Sequence, residues 1–435
     1  MNLFLISLGC AKNMVDSEMI VGLLEKNNIK LIDNPEEADI LMVNTCAFIE
    51  SARKEAIDTI LDLASYKNEN KKLIVCGCFP QRYKDELIKL FPEVDLFIRI
   101  DEYQNISQII TNLFKSDFKL SGNLTPLTKH ISTPNYMRYV KISEGCLNRC
   151  AFCAIPLIRG KLKSREISDI VSEVELAVKE GAYEINLISQ DTTRYGYDLY
   201  KENSIVKLLD AVCQIKGNFR VRLLYLYPDI VSDELIDFII NNDKVIPYFD
   251  VPIQHSEDHL LKRMNRRGYK DYLLDLFKKI KREIPHAILR TTIIVGFPGE
   301  TDEDIKNLLD FMDEVKFDHL GAFTFSPEEG TKALEYNDVV SEDDKNRRYN
   351  LVMAKQKDIS LAHMESYLNK ELEVFITGYD EESYFYLARN DIFASDDIDG
   401  VIYVAAKDEH NFGDVIKIKV LDCDAYTLTG EEIWN

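Results

Sequence analysis

The spacing of apolar positions changes character twice along the chain. Up to about residue 118, short apolar runs alternate with stretches of helical spacing. The runs at 2–8, 40–43, 72–76 and 96–100 read as buried strands. Met14, Ile20, Leu23 and Leu24 share one face of a helix over 14–26. Further helices run up to Leu63, after Pro80 (a residue suited to a first helical turn) and after the last strand. Strands alternating with helices predict a parallel, doubly wound sheet over 1–118. Residues 119–135 are polar, hold two prolines and show no period, and are read as a linker. Six more strand–helix units follow, with strands at 138–142, 184–188, 220–224, 248–251, 289–295 and 319–325. Helices such as 167–179 and 302–314 lie between them, and a long charged helix at 341–367 ends the series. This predicts a partial (β/α)6 barrel over 136–367. From 368 to 435 short strands at 371–377, 384–388, 401–405 and 415–421 replace helices, predicting a small five-stranded antiparallel β-barrel.

Composition sharpens this α/β picture. The 435 residues are 46% hydrophobic, enough for several cores. No run of eighteen apolar residues appears, so no membrane span is expected. The opening MNLFLISLGCAKN lacks a basic flank and a small-residue cleavage site, and reads as a first strand. Nine cysteines, an odd number in a large acidic chain, favour cytoplasmic metal or redox chemistry over a disulfide framework. The net charge of −21 argues against phosphate neutralisation as the main source of affinity and permits a basic partner.

Cys146, Cys150 and Cys153 form C-x₃-C-x₂-C just after the first barrel strand. Structural zinc wants four ligands, and no fourth Cys or His lies nearby in sequence. Three thiolates in one loop suit an iron–sulfur cluster with one iron left open. Cys10, Cys46 and Cys78 each follow a different strand of the first sheet. The carboxyl ends of parallel strands share one edge, so these three are expected to converge as a second triad; the alternative is three unrelated apolar cysteines. Cys76 lies still within its strand, and Cys213 and Cys423 read as ordinary small apolar residues.

The two triads and the C-terminal β-domain resemble the methylthiotransferases of the radical S-adenosylmethionine superfamily, over the whole chain. The resemblance implies two [4Fe-4S] clusters, one per triad, with S-adenosyl-L-methionine on the open iron of the first and a sulfur species on the second. It implies a C-terminal TRAM domain and an electron donor such as flavodoxin or ferredoxin. Radical chemistry answers a physical need, because no side-chain base has a pKa near that of an unactivated C–H bond. Gln190 and Asp191 at the end of the second barrel strand match catalytic positions. Tyr139 and Phe152 match positions flanking the first cluster, and plain packing explains them equally well. Arg290 matches a cofactor-contacting position, and Gly296 and Glu300 match a stretch near adenine, although GFPGE is also an ordinary turn into a helix. Gln254 and His255 are placed to face the same cavity, with a buried structural histidine as the other reading. Asn13 and Asn44 stand beside Cys10 and Cys46, as cluster neighbours or as Asx-turns.

Two branches of the family differ in substrate: the MiaB branch modifies an adenosine of tRNA, the RimO branch an aspartate β-carbon of small-subunit ribosomal protein twelve. SQDTTRYGYDLY and NTCAFIESA resemble the RimO branch. Residues 370–435 hold sixteen acidic and five basic residues, a net charge of −11. An RNA-binding domain should be basic; this one would repel phosphate and attract a basic ribosomal protein. Solubility is the competing explanation for the acidity. The expected partner is therefore a basic protein, with no direct tRNA substrate.

Overall fold

A computed structural model describes residues 1–114, 119–395 and 398–433. The first unit is a five-stranded parallel sheet of β1 (Asn2–Ser7), β2 (Lys30–Leu31), β3 (Ile40–Thr45), β4 (Lys72–Gly77) and β5 (Leu96–Arg99), in the order β2-β1-β3-β4-β5. Helices α1 (Ala11–Lys26), α2 (Glu50–Ser65), α3 (Cys78–Leu90) and α4 (Ile106–Leu113) follow β1, β3, β4 and β5. Every residue of β3 is buried, as helices on both faces demand. Its side chains alternate: Leu41 and Val43 pack with Ile60 on one face, Ile40 and Met42 with Ile20 and Leu24 on the other. The strand order sets β1, β3 and β4 side by side, which is what the placement of the second triad requires. The edge strand β2 is too short to show a period. Helix α3 starts at Cys78, ahead of Pro80, because Gly77 in a left-handed conformation (φ +97°) turns the chain directly off β4.

The segment before the barrel is no loose tether. His130 N donates to Glu18 O at 2.9 Å, and the Lys129 ammonium pairs with Glu18 at 3.1 Å and Glu173 at 3.3 Å. It thus straps α1 to a barrel helix. The barrel opens with β6 (Met137–Lys141), then a hairpin of β7 (Ser143–Glu144) and β8 (Lys163–Ser164) that brackets the three-cysteine loop and the short α5 (Ile155–Ile158). After α6 (Ile167–Lys179) come β9 (Glu184–Ile188), β10 (Arg220–Leu223), β11 (Tyr248–Asp250), β12 (Ile288–Val295) and β13 (His319–Thr324). With β6 these pair as two parallel three-stranded sheets, β10-β9-β6 and β11-β12-β13, joined by a Val221–Val245 bridge. Among the described residues no ladder joins β6 to β13, so the barrel is partial.

The C-terminal strands β14 (Glu371–Asp380), β15 (Phe385–Arg389), β16 (Val401–Ala405), β17 (Val415–Cys423) and β18 (Thr427–Glu432) close a barrel in the order β14-β15-β16-β18-β17. The antiparallel expectation needs one correction: β16 and β18 run parallel. A closed ring with an odd number of strands cannot alternate direction all the way round, so one pair must be parallel. Described residues between β15 and β16 reach the larger barrel. There Tyr139 Oη meets Ser395 Oγ at 2.8 Å, His319 Nε2 meets Ile392 O at 2.8 Å, and the Tyr248 hydroxyl donates to Asp399. The small domain therefore plugs the amino-terminal half of the barrel lumen and leaves the carboxyl ends of the strands facing the first sheet.

Candidate active site: two cysteine triads

Cys10 caps the start of α1, Cys46 follows β3 by one residue, and Cys78 opens α3. The backbone brings them together at two tight approaches. Gly9 has φ +88°, and a Cβ there would lie 2.7 Å from Cys46 Cβ. A Cβ at Gly77 would lie 2.2 Å from Asn44 Oδ1. Only glycine fits either position. Asn13 and Asn44 bind across strands and form no local Asx-turns. Asn13 Nδ2 donates to Leu8 O (2.9 Å) and Thr45 O (3.0 Å), while its Oδ1 faces Cys78 Sγ at 3.5 Å. Asn44 Nδ2 donates to Asn13 O at 2.8 Å. Burial, then the neighbouring Cys78, pushes the Cys46 thiol up to about 11. For Cys10, desolvation acts upward too, but Lys12 and Arg159 together hold its pKa below the ordinary value. Cys76 belongs to the opposite face of the sheet, where burial raises it to about 12.

The first triad lies in the loop between β7 and α5. Cys146 N donates to Gly160 O at 3.1 Å, and Asn148 N points at Cys146 Sγ at 3.4 Å. Asn148 Nδ2 donates to Asp191 Oδ2 at 2.6 Å, and Arg194 Nε donates to Asn148 Oδ1 at 3.1 Å. Asp191 is buried, and desolvation raises its pKa against the bonds from Thr193 and Asn148. It acts on the cysteine loop through Asn148. Gln190 Nε2 donates to Glu144 Oε1 at 3.0 Å, and its own Oε1 is buried without a partner. Phe152 meets Phe297 edge-on at 6.5 Å, against the GFPGE turn. Cys150 Sγ faces Arg266 Nη1 at 3.7 Å and Tyr227 Oη at 3.9 Å.

Two expected site residues also meet the small domain. Tyr139 is tied to Ser395, and Arg290 forms ion pairs with Asp250 (2.9 Å) and Asp399 (3.1 Å). Both meet residues that connect β15 to β16, Ser395 and Asp399. Gly296 N donates to Glu300 Oε1 at 2.8 Å, and Arg348 Nη1 pairs with that oxygen at 2.9 Å. His255 Nε2 and Glu300 Oε2, both buried, face each other at 3.5 Å without a hydrogen bond. At the ends of β10 and β11, Tyr225 (φ +63°) and Gln254 (φ +73°) hold left-handed backbone, a form of stored strain found at functional mouths.

Sequence reasoning missed the cations. Arg159 leaves the end of α5, six residues past Cys153, and reaches the other triad: Nη2 lies 3.5 Å from Cys78 Sγ and also binds Asn13 Oδ1, while Nη1 pairs with Asp16 at 2.8 Å. Lys12 Nζ donates to Ser189 O at 3.2 Å and sits 3.7 Å over the Tyr225 ring. Two buried cations thus stand between the second triad and the mouth of the barrel.

The donor sets fit two clusters. A structural zinc is held by four ligands, and each triad supplies three. Three thiolates match a [4Fe-4S] core with one iron open.

Comparison with known proteins agrees. Residues 2–99 match a family described as uncharacterized protein family UPF0004, 140–312 the radical SAM superfamily, and 370–433 the TRAM domain. The chain is 43% identical over 443 residues to the ribosomal protein uS12 methylthiotransferase RimO of Acetivibrio thermocellus, covering 99% of this chain and 98% of that one. It is 44% identical over 433 residues to the protein of the same name from Aquifex aeolicus, covering 99% and 97%. In fold it is similar to the radical S-adenosylmethionine methyltransferase TsrM of Kitasatospora setae, solved with cobalamin and a [4Fe-4S] cluster (TM-score 0.58, 13% identity, 77% of each chain).

Proposed function

The chain belongs to the RimO family of ribosomal protein uS12 methylthiotransferases, and from that premise we propose that it adds a methylthio group to the β-carbon of an aspartate of uS12. The convergence of two cysteine triads at facing edges of two domains carries this reading. When bound, the first cluster with S-adenosylmethionine supplies a radical able to take a hydrogen atom from an unactivated carbon. Cys146, Cys150 and Cys153 would hold that cluster, and Cys10, Cys46 and Cys78 the second, which presents sulfur.

The chain's own residues do the rest. Asp191, through Asn148, fixes the shape of the first loop. Gln190 Oε1 makes no hydrogen bond within the protein, nor do the facing atoms His255 Nε2 and Glu300 Oε2 (3.5 Å apart), which leaves their hydrogen-bonding capacity for polar groups of the cofactor. Phe152 and Phe297 wall one side and exclude water. Lys12 and Arg159 place positive charge beside the sulfur-presenting triad. The units 1–118, 136–367 and 368–435 are read as the sulfur-presenting, radical-forming and TRAM domains, joined by 119–135.

The substrate assignment also draws on charge. Exposed acids such as Glu371, Glu381, Glu382, Asp408 and Glu431 leave the TRAM surface unsuited to phosphate and suited to a basic ribosomal protein in the cytoplasm. An electron donor of the flavodoxin or ferredoxin kind completes the reading. No helix among the described residues is long and apolar enough to cross a membrane. The test is direct. Reduced, reconstituted enzyme with S-adenosylmethionine and a peptide of the target uS12 loop should add one methylthio group to the peptide, read by mass. A mass gain on tRNA with none on the peptide would reverse the assignment.

A further inference from the structure

The loop after β13 is tied to backbone beside both triads. Glu328 is 2% exposed and accepts from two arginines of the N-terminal unit, Arg82 Nη1 at 2.8 Å and Arg53 Nη1. Ser326 Oγ donates to its other oxygen at 3.1 Å. The same Arg82 donates to Ala47 O at 2.9 Å, one residue past Cys46, and to Glu329 O at 2.8 Å. Five residues further on, Ala333 N donates to Ala151 O at 2.8 Å, between Cys150 and Cys153. The segment from Glu328 to Ala333 therefore has one end tied through Arg82 to the Cys46 loop and the other bonded to the C-x₃-C-x₂-C loop. It is stiffened in between: Thr331 N and Oγ1 both donate to Glu328 O, at 3.1 and 2.6 Å.

A buried carboxylate between two guanidiniums is poor evidence for stability and better suited to fixing one arrangement. Here the arrangement fixed is that of one triad relative to the other. We propose that residues 328–333 are a spacer that sets the separation of the two metal centres, with Glu328 and Arg82 as positioning residues. The proposal rests on the two-cluster reading above. Sulfur transfer demands that a carbon radical form within reach of the sulfur, and a displacement of about 1 Å costs on the order of a hundredfold in rate. Forming the radical needs only the first site.

Loss of the clasp should therefore separate the two activities. The full-length, reconstituted Glu328→Gln protein should keep its iron and sulfide, cleave S-adenosylmethionine at the parental rate, and form about a hundredfold less methylthiolated peptide per 5′-deoxyadenosine. The magnetic interaction between the two reduced clusters, read by electron paramagnetic resonance, should change with it. Glu328→Asp, which keeps the charge and shortens the reach, should show a smaller loss of the same kind. An unchanged product-to-cleavage ratio in both variants overturns the proposal, and so does an equal fall of cleavage and transfer, which would mark a purely structural role. Failure of the parental protein to modify the peptide at all would instead sink the functional reading.

Discussion

With Cys10, Cys46 and Cys78 all changed to alanine, the protein keeps about half its iron and sulfide, still cleaves S-adenosylmethionine, and transfers no methylthio group. The reason is the separation of the two donor sets. The second triad depends on Gly9, Gly77 and the cross-strand bonds of Asn13 and Asn44, none of which reaches the C-x₃-C-x₂-C loop. The first loop is held instead by Gly160, Asn148, Asp191 and Met264. At its far end Arg159 keeps its ion pair with Asp16 without the Cys78 sulfur, and Ala154 and Ile158 pack in the same core as Cys78 and Phe79. Alanine at Cys46 and Cys78 keeps the buried Cβ atoms, so the sheet should fold. Iron and sulfide analysis, 5′-deoxyadenosine release and peptide mass together check the result. Loss of all iron would show that the sites do not load independently; retained transfer would remove the second triad from the chemistry.

Much of the fold was legible because strand periodicity is local. The six barrel strands fall within a residue or two of their apolar runs, and β12 shows nearly strict alternation of buried and half-buried positions. The triads were legible because the ends of parallel strands must share an edge. What escaped was long-range and charged. Arg82 and Glu328 are 246 positions apart, and Arg159 and Cys78 are 81 apart. No spacing rule joins such pairs; only the docking of one domain on another does. The ties of Tyr139 to Ser395 and of Arg290 to Asp399 escaped for a related reason. Strand alternation correctly turns both toward the lumen, but it does not say how deep they sit or that residues from beyond β15 fill that level. The parallel β16–β18 pair follows from ring closure, which a strand-by-strand reading does not consider.

The plug at the base of the barrel gives the largest expected loss of stability. Glu184 at the start of β9 is fully buried and accepts from Arg222 Nε at 3.1 Å and from Arg389 Nη1, an arginine of the TRAM domain, at 3.2 Å. Burial alone would raise its pKa, yet Arg222 and then Arg389 hold the carboxyl at about 2. Changing Glu184→Ala leaves two guanidiniums buried beside each other, which should cost about 3–5 kcal/mol and lower Tm by about 10 °C. Replacing all three residues by apolar ones of similar volume should recover most of that loss, because no charge is then left unpaired. The pH dependence has a definite sign. A carboxyl held below its ordinary value of 4.5 stabilises the fold above that pH, and the contribution disappears as pH falls from 4.5 toward 2. The gap in Tm between parent and Glu184→Ala should therefore be full at pH 7 and shrink steadily below about 4.5. A gap that is absent at pH 7, or that widens in acid, would mean that the charge network does not hold the TRAM domain in the barrel.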